Sequence, residues 1–314
     1  MRRRVLVTGG AGFIGSHVAE AFLAAGDDVT ILDDLSTGRE ANVPAGARLV
    51  RADVRSREAR ELVATGRFAI LNHHAAQIDV RRSVADPGHD ADVNVGGLLN
   101  LLEGARAGAV SRVVFASSGG VVYGEQGRLP RVETEAKLPV SPYGVAKLAS
   151  EFYLATYALL YGLEAVALRY SNVYGPRQRS DGEAGVVAIF VGLLLAGKPL
   201  TVFGDGEQTR DFVYVKDVAE ANVAASRTTV PAASDIDARA YNIGTGLETS
   251  VNRLAELLGA ATDRIPTVQH AAARTGELQR NVLAVDKAAR TLPWRPRTSL
   301  VDGLRATVHA LAEG

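Results

Sequence analysis

Apolar, β-branched runs alternate with longer stretches of helical spacing through the first half of the chain. The runs 4–7, 29–32, 48–51, 68–72 and 113–116 predict strands, and the stretches 13–25, 57–64 and 93–107 predict helices between them. Alternation of this kind means βαβ units, hence a parallel sheet with helices on both faces. Uninterrupted apolar strands such as Val5-Leu6-Val7 fit burial on both sides. A long helix is predicted over 143–160, ending before Gly162, and a further strand over 165–170. The expected class is therefore α/β, a doubly wound parallel sheet of Rossmann type.

From Gly175 the texture changes. Loops rich in proline, glycine and charge (175–185, 204–211 and 264–277) surround short helices, which predicts a smaller C-terminal α/β lobe. The expected division is 1–174 for the Rossmann domain and 175–314 for the lobe. Residues 212–245 are expected to return to the sheet, because Tyr241-Asn242-Ile243-Gly244 again resembles a strand. The run 228–237 reads as a surface loop.

Composition narrows the function classes. Of 314 residues, 47% are apolar and 22% charged, which excludes disorder for the chain as a whole. Thirty-five basic residues balance thirty-five acidic ones, so no global field draws it to nucleic acid or an anionic membrane. Absence of cysteine excludes disulfides, zinc–cysteine sites, iron–sulfur clusters and thiol nucleophiles. The longest apolar run, 186–196, falls short of the ~20 residues a spanning helix needs. After Met1-Arg2-Arg3-Arg4 the apolar stretch ends at Thr8, whereas a signal segment needs roughly 7–15 such residues. A cytoplasmic enzyme is expected. His73 and His74 are adjacent in a strand, point to opposite faces and predict no metal site.

Candidate chemistry begins at the first strand–helix junction. Gly9, Gly12 and Gly15 permit a tight turn, close backbone approach to a pyrophosphate and tight helix packing. The helix start offers free N–H groups to phosphate oxygens. Asp33 closes the second strand, where a carboxylate accepts the adenine ribose hydroxyls and repels a 2′-phosphate, favouring NAD over NADP. Asp34 reads as a loop carboxylate. Asp53-Val54 follows the third strand, where an acid is placed to meet the adenine amino group.

Tyr143 and Lys147, at i and i+4, share one helix face. A phenol near pKa 10 is a poor base at neutral pH, and a nearby ammonium favours the phenolate. Ser117-Ser118 ends the fifth strand, at the sheet edge where such folds bind ligands.

Glycine loop, Asp33, strand-end serine and Tyr143-x-x-x-Lys147, in this order, resemble the extended short-chain dehydrogenase/reductase superfamily. Within it, the chain is similar to nucleotide-sugar 4-epimerases of the UDP-glucose (UDP-galactose) type. Further matches are Leu32-Asp33-Asp34-Leu35-Ser36-Thr37-Gly38, His74-Ala75-Ala76, Asn94-Val95-Gly96-Gly97, Val122-Tyr123-Gly124, Leu168-Arg169-Tyr170-Ser171-Asn172-Val173-Tyr174-Gly175-Pro176-Arg177 and Arg210-Asp211-Phe212.

The resemblance implies an isomerase that inverts C4 through a transient 4-keto sugar, with hydride passing to and from retained NAD. Tyr143 would be the base at O4, Lys147 would lower its pKa and hold the nicotinamide ribose, and Ser118 would hydrogen-bond O4. Ser117 is the alternative, since the segment to Tyr123 is one residue longer than the commonest family spacing. The implied cofactor residues are Gly9, Gly12, Phe13, Ile14 and Gly15, then Asp33, Asp34, Leu35, Ser36, Thr37 and Gly38. They continue with Asp53, Val54, His74, Ala75, Ala76, Gln77, Asn94, Ser117, Tyr143, Lys147, Tyr170 and Val173.

Substrate would meet Asn172, the edge segment Thr201-Val202-Phe203, Arg210, Arg274, Glu277 and Asn281, besides Ser118 and Tyr143. Two guanidinium forks suit a diphosphate. Asn281 matches a sugar-pocket position, which leaves the N-acetylglucosamine series open as an alternative, and the glucuronate series is open because an Arg or Thr near C6 would serve its carboxylate. Gly119 and Gly120 stand where related dehydratases and decarboxylases carry acids. Tyr143 and Lys147 are both present, against a non-catalytic NAD-sensing protein. A homodimer formed through the 93–107 and 143–160 helices is also implied.

Overall fold

A computed structural model describes residues 2–125, 127–180, 185–273 and 278–313. Its first strands are β1 (Arg4–Thr8), β2 (Asp28–Asp33), β3 (Arg48–Arg51), β4 (Ile70–His73), β5 (Arg112–Ser118) and β6 (Glu164–Tyr170). With Ala240–Ile243 they form one parallel sheet in the order Ala240–Ile243, β6, β5, β4, β1, β2, β3. The order reverses between β1 and β4, so the connections leave in opposite directions and open a crevice at their C-terminal ends.

Both faces are dry. On one, Leu6, Leu71, Val113 and Phe115 pack under α2 (Arg57–Thr65) and the helices Gly97–Ala107 and Pro142–Tyr161. On the other, Val5, Val7, Val29 and Ile31 lie under α1 (Phe13–Ala24), and Val114, Val166 and Leu168 under the Val215–Arg227 helix. A separate apolar cluster joins the helices Val186–Leu195, Val251–Ala261 and Leu300–Glu313 through Phe190, Leu194, Leu254, Leu258 and Leu304. Residues 212–243 run back to the sheet. Phe212–Tyr214 pairs with Asn172–Tyr174, Val215–Arg227 packs on α1, and Ala240–Ile243 pairs with β6.

Local signals explain the element ends. Ser141 caps the Pro142–Tyr161 helix by accepting from the Gly144 N–H at 3.2 Å, Pro142 opens it, and Gly162 closes it in the left-handed conformation. The predicted 93–107 helix differs from expectation. It is preceded by a π turn over Asp92–Gly96 and becomes α-helical only over Gly97–Ala107. The 228–237 run is also more than a surface loop, because its last residue, Asp237, accepts from the fully buried Arg169 at 2.8 Å and pairs with Lys137. Among the described residues no helix is long and apolar enough to cross a membrane.

Candidate active site

The glycine loop is as tight as its sequence demands. Gly9 has φ +66°, and a Cβ there would sit 2.6 Å from the Ala75 nitrogen, so the β1 and β4 ends touch through bare backbone. A Cβ on Gly15 would meet the Gly9 carbonyl oxygen at 2.2 Å, which only glycine avoids. Gly12 is the N-cap of α1 and brings no capping side chain, so the first-turn N–H groups of Phe13 and Ile14 keep their helix-start character. This cradle fits a pyrophosphate.

Asp33 is buried at the end of β2. Oδ2 accepts the Ala11 N–H and Oδ1 the Leu35 N–H, both at 2.9 Å, leaving each oxygen a further lone pair. Burial pushes its carboxyl above the ordinary value, and the two backbone donors pull against that shift. A Cβ on Gly38 would stand 2.8 Å from Oδ1, so Gly38 lets the turn close over the acid. Asp34 accepts from the Ser36 N–H and Oγ, the loop role expected of it. The Thr37 carbonyl accepts from Arg179 at 3.3 Å.

Asp53 and Val54 are already engaged within the fold. The Asp53 carboxylate is held by the Arg55 guanidinium through bonds of 3.0 and 3.1 Å from Nε and 2.5 Å from Nη2, which lowers its pKa and occupies both oxygens. Adenine would meet an acid already paired within its own turn. Val54 is a core side chain, packed where Gly97 leaves room for it.

β4 ends in two buried imidazole contacts. Thr8 Oγ1 lies 2.6 Å from His73 Nδ1, and Tyr170 Oη lies 3.0 Å from His74 Nε2. Burial, with Lys147 nearby, pushes both histidines down to about 3. Among the described residues no group of three potential ligands gathers for a metal. Ala75 and Ala76 are half-buried beyond them. Gln77 and Asn94 bond reciprocally, since Asn94 Oδ1 accepts the Gln77 N–H and Nδ2 donates to the Gln77 carbonyl, both at 3.0 Å.

The two serines of β5 part company. Ser117 is buried and donates to Glu151 Oε1, whereas Ser118 is half-exposed at the sheet edge. Ser118 Oγ is 3.6 Å, and Asn281 Nδ2 3.5 Å, from where a Cβ on Gly120 would stand. Sequence-distant Asn281 therefore lines the same space as Ser118.

Lys147 is buried. Its Nζ donates to the Ala116 carbonyl at 3.0 Å and lies 5.6 Å from the centre of the Tyr143 ring. Burial lowers it to about 8, against opposing pulls from Asp90 and Glu151. The half-buried Tyr143 departs from the expected effect of its neighbour. Desolvation and the Asp90 charge push the phenol above its ordinary value, and the ammonium is engaged by a carbonyl instead of the hydroxyl.

Behind these groups lies a buried ionic network that sequence reasoning did not single out. Arg169 forks onto Glu151 at 2.6–3.1 Å and reaches the Tyr123 hydroxyl at 3.0 Å. Glu151 stands four residues after Lys147 on the same helix, a spacing that could have flagged it. Tyr123 and Trp294 act as packing and bracing groups, Trp294 donating to the Asp217 carbonyl.

The remaining expected residues are scattered along one side. Val173 and Asn172 lie in Asn172–Tyr174, and the Asn172 side-chain oxygen is buried without a hydrogen-bond partner. Arg210 and Asn281 face each other in paired strands. Thr201 is exposed, Val202 buried and Phe203 half-buried in Leu200–Phe203, which pairs with Val268–Ala271. Arg274 and Glu277 lie outside the described residues. Asp211, noted only within a motif, is fully buried and accepts from the N–H and hydroxyl of Thr245 and the Gly246 N–H, tying its strand to the turn after Ala240–Ile243.

Crevice, glycine cradle and Tyr–Lys helix together define a dinucleotide-dependent enzyme acting at the C-terminal edge of a parallel sheet. The chain belongs to the NAD dependent epimerase/dehydratase family, whose model matches residues 5–244. It is 43% identical over 311 residues to the UDP-glucose 4-epimerase of Mycolicibacterium smegmatis, covering 98% of this chain and 97% of that one. Its fold is similar to the UDP-glucose 4-epimerase of Thermotoga maritima solved with UDP-glucose (TM-score 0.93, 41% identity, 99% of both chains). It is likewise similar to the UDP-glucose 4-epimerase of Thermus thermophilus in complex with NAD (TM-score 0.90, 44% identity, 99% of both chains).

Proposed function

We propose that the chain is a 4-epimerase interconverting UDP-glucose and UDP-galactose. The observation that carries this reading is the bare strand end beside Ser118. Gly119 and Gly120 follow Ser118, a Cβ on Gly119 would stand 2.6 Å from the Leu283 side chain, and neither position carries the acid that a dehydratase or decarboxylase needs there. What remains is a Tyr–Lys–Ser set suited to proton transfer at one hydroxyl.

NAD, when bound, supplies the hydride acceptor and donor for C4. The Gly9–Gly15 cradle and α1 start would hold its pyrophosphate, and the free lone pairs of Asp33 its adenine ribose. Ser118 orients the sugar O4. Tyr143 takes the O4 proton and returns it to O4 once the ketose has turned to present the opposite face of C4. Lys147, fixed on the Ala116 carbonyl, supplies the positive charge that compensates the phenolate. In the assignment we favour, 1–174 with 212–245 carries the cofactor and 175–314 mainly the nucleotide sugar, with Arg210, Arg274 and Glu277 on diphosphate and ribose.

A cytoplasmic setting accords with a cysteine-free chain. A homodimer through the Pro142–Tyr161 helix is supported by its exposed apolar residues Val145, Phe152, Tyr153, Leu159 and Leu160. The deciding assay supplies UDP-galactose, UDP-N-acetylgalactosamine and UDP-galacturonate separately, without added cofactor, and follows the products by NMR. Conversion of the first to its gluco epimer is expected. Silence on all three, also with NAD added, would overturn the reading.

A further inference from the structure

Arg177 stands in the segment 175–179, between the Asn172–Tyr174 strand and the lobe helix Val186–Leu195. Its φ is +68°, a conformation that a residue with a Cβ keeps only where its surroundings hold it there. Several bonds do so. Gln178 returns to its own strand, its N–H donating to the Gly175 carbonyl at 3.3 Å and its Nε2 to the Val173 carbonyl at 3.1 Å. Arg177 Nη1 donates to Ser16 Oγ at 3.0 Å, and Nη2 pairs with the Glu20 carboxylate. His17 Nε2 lies 3.0 Å from the Pro176 carbonyl oxygen, which can only accept, so this nitrogen carries the imidazole hydrogen. Nδ1 is then a buried, bare acceptor without a hydrogen-bond partner among the described residues, 3.5 Å from Glu20 Oε2. Burial holds His17 below its ordinary value, so the imidazole stays neutral and Glu20 has its ionic partner in Arg177.

Ser16, His17 and Glu20 follow the first turn of α1, whose N–H groups belong to the phosphate cradle. Ser16 Oγ accepts from Arg177 and donates to the Phe13 carbonyl at 3.1 Å, so a continuous chain of hydrogen bonds runs from the guanidinium to that turn. The Phe13 ring meets the His17 ring edge-on with centroids 6.2 Å apart, and the Phe13 and Ile14 side chains pack against the apolar cluster of the lobe. Two residues on, Arg179 donates to the Thr37 carbonyl at 3.3 Å, and Thr37 precedes the Gly38 that lets the turn close over Asp33. One segment thus grips both parts of the fold that fit the dinucleotide, the pyrophosphate cradle and the ribose carboxylate. The Arg177 and Glu20 side chains are 29% and 37% exposed, so water screens the pair only in part.

We propose that Arg177 is a positioning residue for the cofactor, fastening the segment 175–179 across the dinucleotide site through Ser16 and Glu20 and so setting how slowly bound NAD leaves. This deepens the proposed function and rests on its dinucleotide half. Hydride leaves C4 and returns to it within one turnover, so slow release of the dinucleotide is part of the chemistry. Opening the crevice far enough to free it means parting α1 and the 33–38 turn from this segment, which breaks the bonds of Arg177 first to Glu20 and Ser16.

The test is the release of NAD from the loaded protein, read without any sugar. The holoenzyme is diluted into alcohol dehydrogenase and ethanol, and each NAD set free appears as NADH absorbance. R177M keeps the stem and removes the fork, and it should release NAD on the order of tenfold faster than wild type. E20Q loosens the same pair from the other side and should also speed release. The double variant E20Q/R177M should release no faster than R177M, because both changes break one clasp. R177K keeps the charge and should bring the rate back to within about threefold of wild type. Wild-type release from both R177M and E20Q would overturn the proposal. So would faster release that R177K does not restore, the mark of a merely disturbed fold. If R177M does not fold, E20Q carries the same test. A wild-type chain that holds no NAD would overturn this proposal and the function together. Release slowed by Arg177 without epimerisation would leave Arg177 in place and remove the activity reading, and epimerisation with release unmoved in both variants would do the reverse.

Discussion

Ser117 donates its hydroxyl hydrogen to Glu151, while its neighbour Ser118 leaves its side chain at the open edge of the sheet. Adjacent strand residues point to opposite faces, so one serine enters the Glu151–Arg169 network and the other faces the crevice. The pair should therefore separate cleanly on mutation. S118A is expected to lower kcat on the order of a hundredfold with an unchanged melting temperature. S117A should keep most of kcat and lose about 1–3 kcal/mol of stability in denaturant unfolding. The reverse pattern would make Ser117 the catalytic group.

Tyr143→Phe removes the proton carrier and leaves the ring. We expect NAD content and melting temperature near wild type and at least a roughly thousandfold loss of kcat, about 4 kcal/mol of barrier. Nearly unchanged turnover would assign the proton transfer elsewhere.

Asp33→Ala should weaken NAD binding and narrow its preference over NADP, as measured by calorimetric titration with both dinucleotides. Two backbone donors lose their acceptor at the same time, those of Ala11 and Leu35. Part of the loss will therefore appear as a looser turn. An unchanged ratio of the two affinities would take Asp33 out of the ribose site.

Arg169 and Glu151 have side chains 0% and 1% exposed. Removing the Glu151 charge leaves the buried Arg169 with Asp237 as its one acidic partner among the described residues, so E151Q should cost up to about 3–5 kcal/mol in chemical denaturation. The double variant E151M/R169M should cost less than the two single losses summed. Strict additivity would mean that the two side chains do not depend on each other.

His73 and His74 should show no imidazole titration by NMR between pH 5 and 8. Their folded values, about 3, lie below the ordinary 6.5, because burial disfavours the imidazolium. The unfolded chain then binds more protons than the native one below pH 6.5. Their contribution to stability is complete above that pH and is lost as the pH falls toward 3. Titration of either ring near neutrality would contradict its burial beside Thr8 or Tyr170.

Much of this molecule is written locally. The glycine spacing 9–12–15, the Asp33 that ends β2, and Tyr143 with Lys147 one turn apart all sit within single elements, and their meaning survives without knowing what packs against them. The sheet was legible for the same reason, since most of its strands are built on short apolar runs such as Val5-Leu6-Val7 and Val113-Val114-Phe115. The sequence did not reveal what long-range packing arranges. Asp90 is buried against the helix of Tyr143 and Lys147 only because two helices distant in the chain lie side by side. Asp237 is a loop residue until the fold brings Arg169 beneath it, and Asn281 reaches the space beside Ser118 through strand pairing near the other end of the chain. Even the local pair was only half determined by its spacing. The i, i+4 periodicity put Tyr143 and Lys147 on one face, but burial and the Asp90 charge decided how tightly the phenol holds its proton. A charge's energy depends on everything around it in space, and neighbours in space are what tertiary structure alone chooses.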